Sequence, residues 1–321
     1  MIKTTTSIAS FPSPLAPAPL DDLPSAIGLI AEVTGASPAD VRHRLQREHQ
    51  WLGCNVRDEM RRQNVPPFVF GAAMERFYAE TDAFVYETFT WNRCLTKQKM
   101  RCWILSFLQR RYGGPARILA FGDGLGFDSA GLALAGHKVT YFDVGQRSIA
   151  FARKVFARNG VHVDMLTNPE ELAAESFDAV VCLDVLEHVP SPPHLVRQLA
   201  AYVRPGGHLL AHGPFWFLHP LVGTHLAANR KYSGELRRLY GEAGLRAVDA
   251  ALAWNPIALE KTKRPAKAAS PVPVPVRAKL CLGWMLLKFA RWWNWPLVTL
   301  AMTLNALDRQ RLRAHSPHLL G

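Results

Sequence analysis

The sequence holds no CxxC pair, and its five cysteines are an odd number spread between Cys54 and Cys281. That pattern excludes a disulfide framework and a zinc knuckle and suits a reducing compartment. The N-terminus lacks the apolar run of an export signal; one early Lys3 is followed by a polar, proline-punctuated stretch. These absences point to a cytoplasmic protein. No internal repeat is visible. Acids are scarce at one end: residues 261–321 hold eleven Lys/Arg against Asp308 alone, a net of +10, so only +2 of the chain's +12 belongs to the first 260 residues. A nucleic-acid groove in the body of the chain is therefore disfavoured, and any anionic partner is to be sought at the tail. A merely solvated, solubilising tail accounts for the same charge.

What is present reads as a globular chain of 321 residues, 49% hydrophobic, long enough to bury a real core. Residues 1–24 contain five prolines and read as a disordered or extended leader. Residues 25–112 read as a helical N-terminal lid or accessory region. In it Ser37-Pro38-Ala39-Asp40 supplies a capping hydroxyl and a first-turn proline for a helix ending near Gly53. Phe77, Tyr78, Phe84, Val85 and Phe89 recur at helical spacing within a second helical stretch, roughly 67–111. The texture then changes. Ile118–Phe121, Val139–Phe142, Ala179–Leu183 and His208–Ala211 are short apolar runs separated by helical patterns, the signature of an α/β fold with a doubly wound, mostly parallel, Rossmann-like sheet over 113–262. A Pro/Ala/basic linker, 263–279, leads to an apolar, Trp-rich, basic segment, 280–321.

In such sheets ligands bind beyond the carboxyl ends of the strands, where the strand order reverses. FGDGLGFDS, 121–129, follows the first apolar run, and its Gly122, Gly124 and Gly126 allow close approach of backbone to a ligand. The spacing nearly satisfies GxGxxG, but Ser129 stands where the third glycine belongs. Asp143, 17 residues past Gly126, ends the second run and lies near the roughly 20-residue spacing of an acid that accepts from ribose hydroxyls. These residues alone call for a nucleoside and leave open which one.

Five ordered segments, taken together, narrow the choice. ILAFGDGLG, the strand-end acid in VTYFDV, FDAVVCLDVLEHVP (177–190), RPGGHLL (204–210) and the helix-then-strand pattern SGELRRLYGEAGLRAVDA together resemble the class I S-adenosylmethionine-dependent methyltransferases, from about Arg117 to Lys261. The small-molecule and quinone enzymes of that family are the most similar. The resemblance implies S-adenosylmethionine as cofactor, with Gly122, Asp123, Gly124 and Gly126 at its methionine portion. Asp143 would then take the ribose diol, Asn168 the adenine amine, and Leu183 and Asp184 would lie near the reacting methyl. Ala120 departs from the pattern, since many relatives carry an acid there. Asp123 departs too, at a position that is commonly small or Cys.

The sulfonium is an activated methyl donor, so the protein need only align the acceptor, exclude water and take a proton where one is released. Asp184, Glu187, His188, His212, His219 and His225 are the candidates for the last task; we single out Asp184, His188 and His225 as catalytic residues. In quinone-related and small-RNA methyltransferases a group resembling Asp184-x-x-Glu187-His188 binds a divalent metal, and a further His like His225 can join it. No metal is the favoured reading. Glu187 and His188 capping the next helix or bonding backbone is the competing structural role. Phe215, Trp216 and Phe217 form an acceptor pocket or pack a loop.

Residues 280–307 carry Trp284, Trp292, Trp293 and Trp295, with Lys288, Arg291 and Asn294 as one polar stripe every three positions. The composition fits a helix lying in a membrane interface through 280–313, at the inner face of a membrane, and equally a helix packed on its own domain or a partner subunit. The conclusion from the residues is methyl transfer to a small-molecule, apolar or lipid-like acceptor. An RNA methyltransferase, or a noncatalytic donor-binding scaffold acting through its tail, are the alternatives. Oligomeric state is not legible.

Overall fold

The computed structural model describes residues 13–262 and 272–314. The first 12 residues and most of the 263–279 linker lie outside the described residues. The rest of the expected leader is not free. Residues 13–22 lie on the body, Leu20 is fully buried, Arg101 Nη1 donates to the Leu15 carbonyl at 2.7 Å, and Asn159 exchanges two hydrogen bonds with Ala18. A proline-rich run of turns is held here by a buried guanidinium and an amide that satisfy its backbone.

Six helices follow: α1 (Leu23–Thr34), α2 (Pro38–Gln50), α3 (Cys54–Arg62), α4 (Ala72–Glu80), α5 (Ala83–Arg93) and α6 (Leu95–Tyr112). Ser37 caps α2 as the pattern requires, accepting from the Asp40 N–H. The helix stops before Gly53, which opens α3 instead, because its φ of +86° and its approach to the Leu221 carbonyl admit no side chain. The expected 67–111 stretch is three helices, broken at Thr81-Asp82 and at Cys94.

The sheet is built from β1 (Arg117–Phe121), β2 (Lys138–Phe142), β3 (Asp164–Leu166), β4 (Phe177–Leu183), β5 (Val203–His212), β6 (Leu245–Ala250) and β7 (Ile257–Lys261), in the order β3-β2-β1-β4-β5-β7-β6. The first five strands run parallel, and β7 is antiparallel to both β5 and β6. Helices α7 (Phe127–Leu134), α8 (Gln146–Asn159), α9 (Pro192–Tyr202) and the short α10 (Leu236–Leu239) make the connections. Alternate residues of β4 feed separate cores: Ala179, Val181 and Leu183 pack with α1, α5 and α8, whereas Val180 and Cys182 pack with α9 and β7. A strand buried on both faces explains why FDAVVCL reads as a continuous apolar run. The order reverses between β1 and β4, so their carboxyl ends form the crevice in which a ligand of this fold sits.

The tail is two helices, α11 (Val274–Trp292) and α12 (Trp295–Ala314), so residues 274–279 are helical rather than linker. No helix among the described residues is long and apolar enough to cross a membrane.

Candidate functional site

The turn after β1 is shaped by what its glycines omit. A side chain on Gly122, at φ +71°, would place Cβ 2.6 Å from Val185 Cγ2. Gly124, at φ +59°, faces only the Thr88 methyl at 3.6 Å, and its N–H donates to Asp143 Oδ2 at 2.8 Å. Asp143 Oδ1 accepts from the Gly145 N–H at 2.9 Å. One carboxylate therefore ties the β1 and β2 turns together across the crevice. Burial raises its pKa, against the backbone N–H groups that favour the anion. Gly126 does a different job, with α8 so close that a Cβ would meet Ala152 at 2.8 Å.

Asp123 and Asn168 bond local backbone, and Leu183 is buried at the carboxyl end of β4. Asp123 accepts from the Asp128 and Ser129 N–H groups at 3.1 and 2.7 Å and so caps α7; burial and the neighbouring Asp128 charge push its pKa up to about 7. Asn168 caps its own turn through the Glu170 N–H at 3.0 Å. Leu183 is a core residue at the end of β4.

Asp184, with φ +58°, is surrounded by donors. Its Oδ1 lies 2.5 Å from His212 Nδ1, and its Oδ2 accepts from Trp91 Nε1 at 2.9 Å and Lys97 Nζ at 3.3 Å. Burial disfavours its charge, but Lys97 and His212 outweigh it and hold the carboxyl well below the usual range. Lys97 also pairs with Asp128 at 2.9 Å, which Arg101 grips from the other side. Asp184 is thus a fixed anion rather than a proton acceptor. Lys97 was not foreseen, because a lysine in LTKQKM looks like any solvated helix lysine until α6 is laid against the sheet.

Glu187, His188 and His225 form a second group, which does not include Asp184. Their ligand-bearing atoms all lie within 4.8 Å of one another. His188 Nε2 is 3.7 Å and His225 Nε2 4.0 Å from Glu187 Oε1. Each imidazole turns its Nδ1 to a backbone carbonyl, Thr224 at 3.1 Å and Phe217 at 2.7 Å. A carbonyl only accepts, so Nδ1 carries the proton and both Nε2 lone pairs face the carboxylate. Both Glu187 oxygens are buried without a hydrogen bond. Burial, with the charge of Asp184, raises the Glu187 pKa; burial pushes His188 down to about 4 and His225 to about 3. Tyr78 of α4 reaches His188 Nδ1 at 3.1 Å and stacks on Phe84 of α5. The N-terminal helices therefore touch both groups. His219 stays outside, accepting from the Leu221 N–H.

Phe215 and Trp216 line a small cavity of about 30 Å³ with His212, Tyr240, Trp254 and Leu287, whereas Phe217 leaves them to meet the His225 ring edge-on. The cavity and Asp184 share His212, so the aromatic loop borders the Asp184 cluster.

A family of methyltransferase domains matches residues 119–211. Ubiquinone biosynthesis O-methyltransferase of Bordetella pertussis is 42% identical over 130 residues, 37% of this chain and 54% of that protein. The enzyme of the same name from Marinobacter nauticus is 38% identical over 123 residues, 35% and 52% of the two chains. The chain spans about half the length of the curated relatives it matches. Among solved structures, a 1,6-didemethyltoxoflavin-N1-methyltransferase of Burkholderia thailandensis is 21% identical with a TM-score of 0.41, covering 54% of this chain and 81% of that one. The parallel sheet, its glycine turn and strand-end acid, and the domain match agree: residues 119–211 carry a methyltransferase domain, similar to that of the ubiquinone biosynthesis O-methyltransferases.

Proposed function

We propose that the chain transfers the methyl group of S-adenosylmethionine to an oxygen of a small, lipid-like acceptor. The observation that carries the reading is the grip of Asp143 on Gly124 and Gly145 at the reversal of strand order. The residues fit the donor. Gly124 presents bare backbone to the crevice, and the Asp143 carboxylate can exchange its backbone partners for ribose hydroxyls. When bound, S-adenosylmethionine supplies an electrophilic methyl. The chain's own residues supply position and proton transfer. Trp91, Lys97 and His212 hold Asp184 ionised at the end of β4, which favours positive charge close by. His188 and His225 offer unprotonated Nε2 atoms beside Glu187, suited to accept the proton of an acceptor hydroxyl. The oxygen acceptor and its lipid-like nature are supported by the O-methyltransferase relatives and by the aromatic loop. A calorimetric titration with S-adenosylmethionine and with its demethylated product tests the reading; binding of neither would overturn it.

A second reading concerns the same group. Two imidazoles with Nδ1 anchored on carbonyls, facing a buried carboxylate that no donor satisfies, are a donor set for a divalent cation. Glu187, His188 and His225 would hold the ion, which would acidify an acceptor hydroxyl. Asp184, committed to Lys97, His212 and Trp91, would not. Equilibrium dialysis against Mg²⁺, Mn²⁺ and Zn²⁺ decides: retention by the wild type and its loss in Glu187→Gln supports the ion, and no retention removes it.

A further inference from the structure

On an ordinary surface helix the polar face meets water. The tail helices do the reverse. The polar stripe Lys288, Arg291 and Asn294 turns toward the body: Lys288 and Arg291 both pair with Glu235, and Asn294 Nδ2 donates to the Trp216 carbonyl at 3.1 Å. Ser233 Oγ donates to the Leu287 carbonyl at 2.8 Å, and Gly283, Leu287 and Ala290 are buried beside Trp254. With the polar residues used inward, α11 presents Leu282, Met285, Phe289 and Trp292 outward, at intervals of three and four residues. In α12, Val298 and Asp308 face inward, the latter accepting from the Leu95 N–H at 2.5 Å, and Leu300, Leu304 and Leu307 face outward. Trp293 and Trp295 stand exposed at the bend between them, and Trp292 is 79% exposed. Of the sixteen large hydrophobic residues exposed on the described chain, ten lie on this helix pair and an eleventh, Trp293, in the bend between them. Scattered apolar residues need no explanation, but a contiguous face of this kind does.

We infer that the outward face of α11 and α12 docks the protein on an anionic lipid bilayer, lying in its interface. Three observations favour lipid over a protein partner. The face is dominated by tryptophan and long aliphatic side chains, the chemistry that settles at the boundary of headgroups and acyl chains. Its surroundings are cationic: Arg277 and Lys279 are exposed on the first turns, and the tail as a whole carries +10. The single acid of the tail, Asp308, is buried, so no carboxylate on the described face repels an anionic surface. The helices also bracket the proposed site. The α11 end packs on the aromatic loop through Trp216, and α12 meets the start of α6, which carries Lys97. Docking this face would set the acceptor side of the domain against the membrane, a consequence that rests on the proposed methyl transfer; the docking itself does not.

The test is cosedimentation of the full chain with vesicles of phosphatidylcholine alone and of phosphatidylcholine mixed with phosphatidylglycerol. We expect binding to the mixed vesicles, a blue shift of tryptophan emission, and weakening by added salt. The exposed variant Trp292→Ser/Trp293→Ser/Trp295→Ser is expected to bind about tenfold more weakly or less, while its circular dichroism and its calorimetric titration with S-adenosylmethionine match the wild type. A second variant, Phe289→Glu, covers the case in which the triple variant misfolds. Absence of wild-type binding, or equal binding by a folded variant, overturns the inference. So does a dimer in sedimentation velocity that the same variants dissociate while vesicle binding is absent, since the face then belongs to a second copy. Vesicle binding without S-adenosylmethionine binding leaves the docking face standing and removes the catalytic reading.

Discussion

The carboxylate of Asp143 joins two turns that are far apart in the sheet connections: Oδ2 takes the Gly124 N–H at 2.8 Å and Oδ1 the Gly145 N–H at 2.9 Å. The same two oxygens are the ones a ribose diol would reach. Asp143→Ala removes both sets of bonds, and S-adenosylmethionine affinity is expected to fall by about 10- to 100-fold, or about 1.4–2.8 kcal/mol. Asp143→Asn keeps one acceptor and should fall between. An unchanged calorimetric dissociation constant in the alanine variant would refute the ribose assignment.

Glu187 is buried with neither oxygen satisfied, which is costly for a carboxylate. The proposed role of Glu187 between two imidazoles accounts for a group kept at such a cost in stability. Glu187→Gln should lower the methylation rate by about 100-fold or more while leaving the melting temperature unchanged or raised. A variant that melts markedly earlier and turns over normally would make Glu187 a structural residue.

Lys97 is enclosed by Asp128 at 2.9 Å and Asp184 at 3.3 Å. Replacing it with methionine leaves Arg101 on Asp128 and His212 on Asp184 but removes the charge they share. Breaking a buried pair from one side costs about 3 kcal/mol. Urea unfolding of Lys97→Met is expected to show that loss. It should also show restored protonation of Asp184, so the variant loses less stability than the wild type on further acidification. A loss below about 1 kcal/mol, the scale of an exposed pair, contradicts the buried arrangement.

His208 lies in β5, away from the proposed site, with Nδ1 2.7 Å from the Tyr112 hydroxyl; burial pushes its pKa down to about 4. The unfolded chain titrates the same imidazole near 6.5. Its neutral form is therefore compatible with folding above about 6.5. Below that the unfolded state binds a proton that the native state refuses, and stability falls by about 1.4 kcal/mol per pH unit down to about 4. Between pH 7 and pH 5 the wild type should lose about 2 kcal/mol more than His208→Gln in urea titrations. Parallel losses in the two proteins would contradict the burial of this imidazole.

The glycine turn and the strand-end acid were legible from spacing alone. An apolar run, a glycine turn and an acid at the next strand end are local features, and local features survive folding unchanged. Gly122, Gly124 and Asp143 stand where the pattern put them. Asp123 and Asn168 bond local backbone, for a reason also local: short acid and amide side chains bond the nearest free backbone N–H first, and each sits beside one. The packing of residues 13–22 on the body is not legible in the sequence, because its partners, Arg101 and Asn159, are distant along the chain.

The sequence by itself determined the alternation of strands and helices, the glycine turn, the strand-end acid and the presence of a basic, tryptophan-rich tail. Periodicity and composition carry those, and each depends on neighbours within a few residues. Only the tertiary structure decided which ionisable groups share an environment. It separated Asp184, neutralised by Lys97 and His212, from Glu187 between His188 and His225, although three positions divide the two acids in the chain. It also turned the polar stripe of the tail inward onto Glu235 and Trp216 and left the apolar stripe outside. Burial and charge pairing depend on elements that meet only when the chain closes, and no spacing rule within a single segment encodes them.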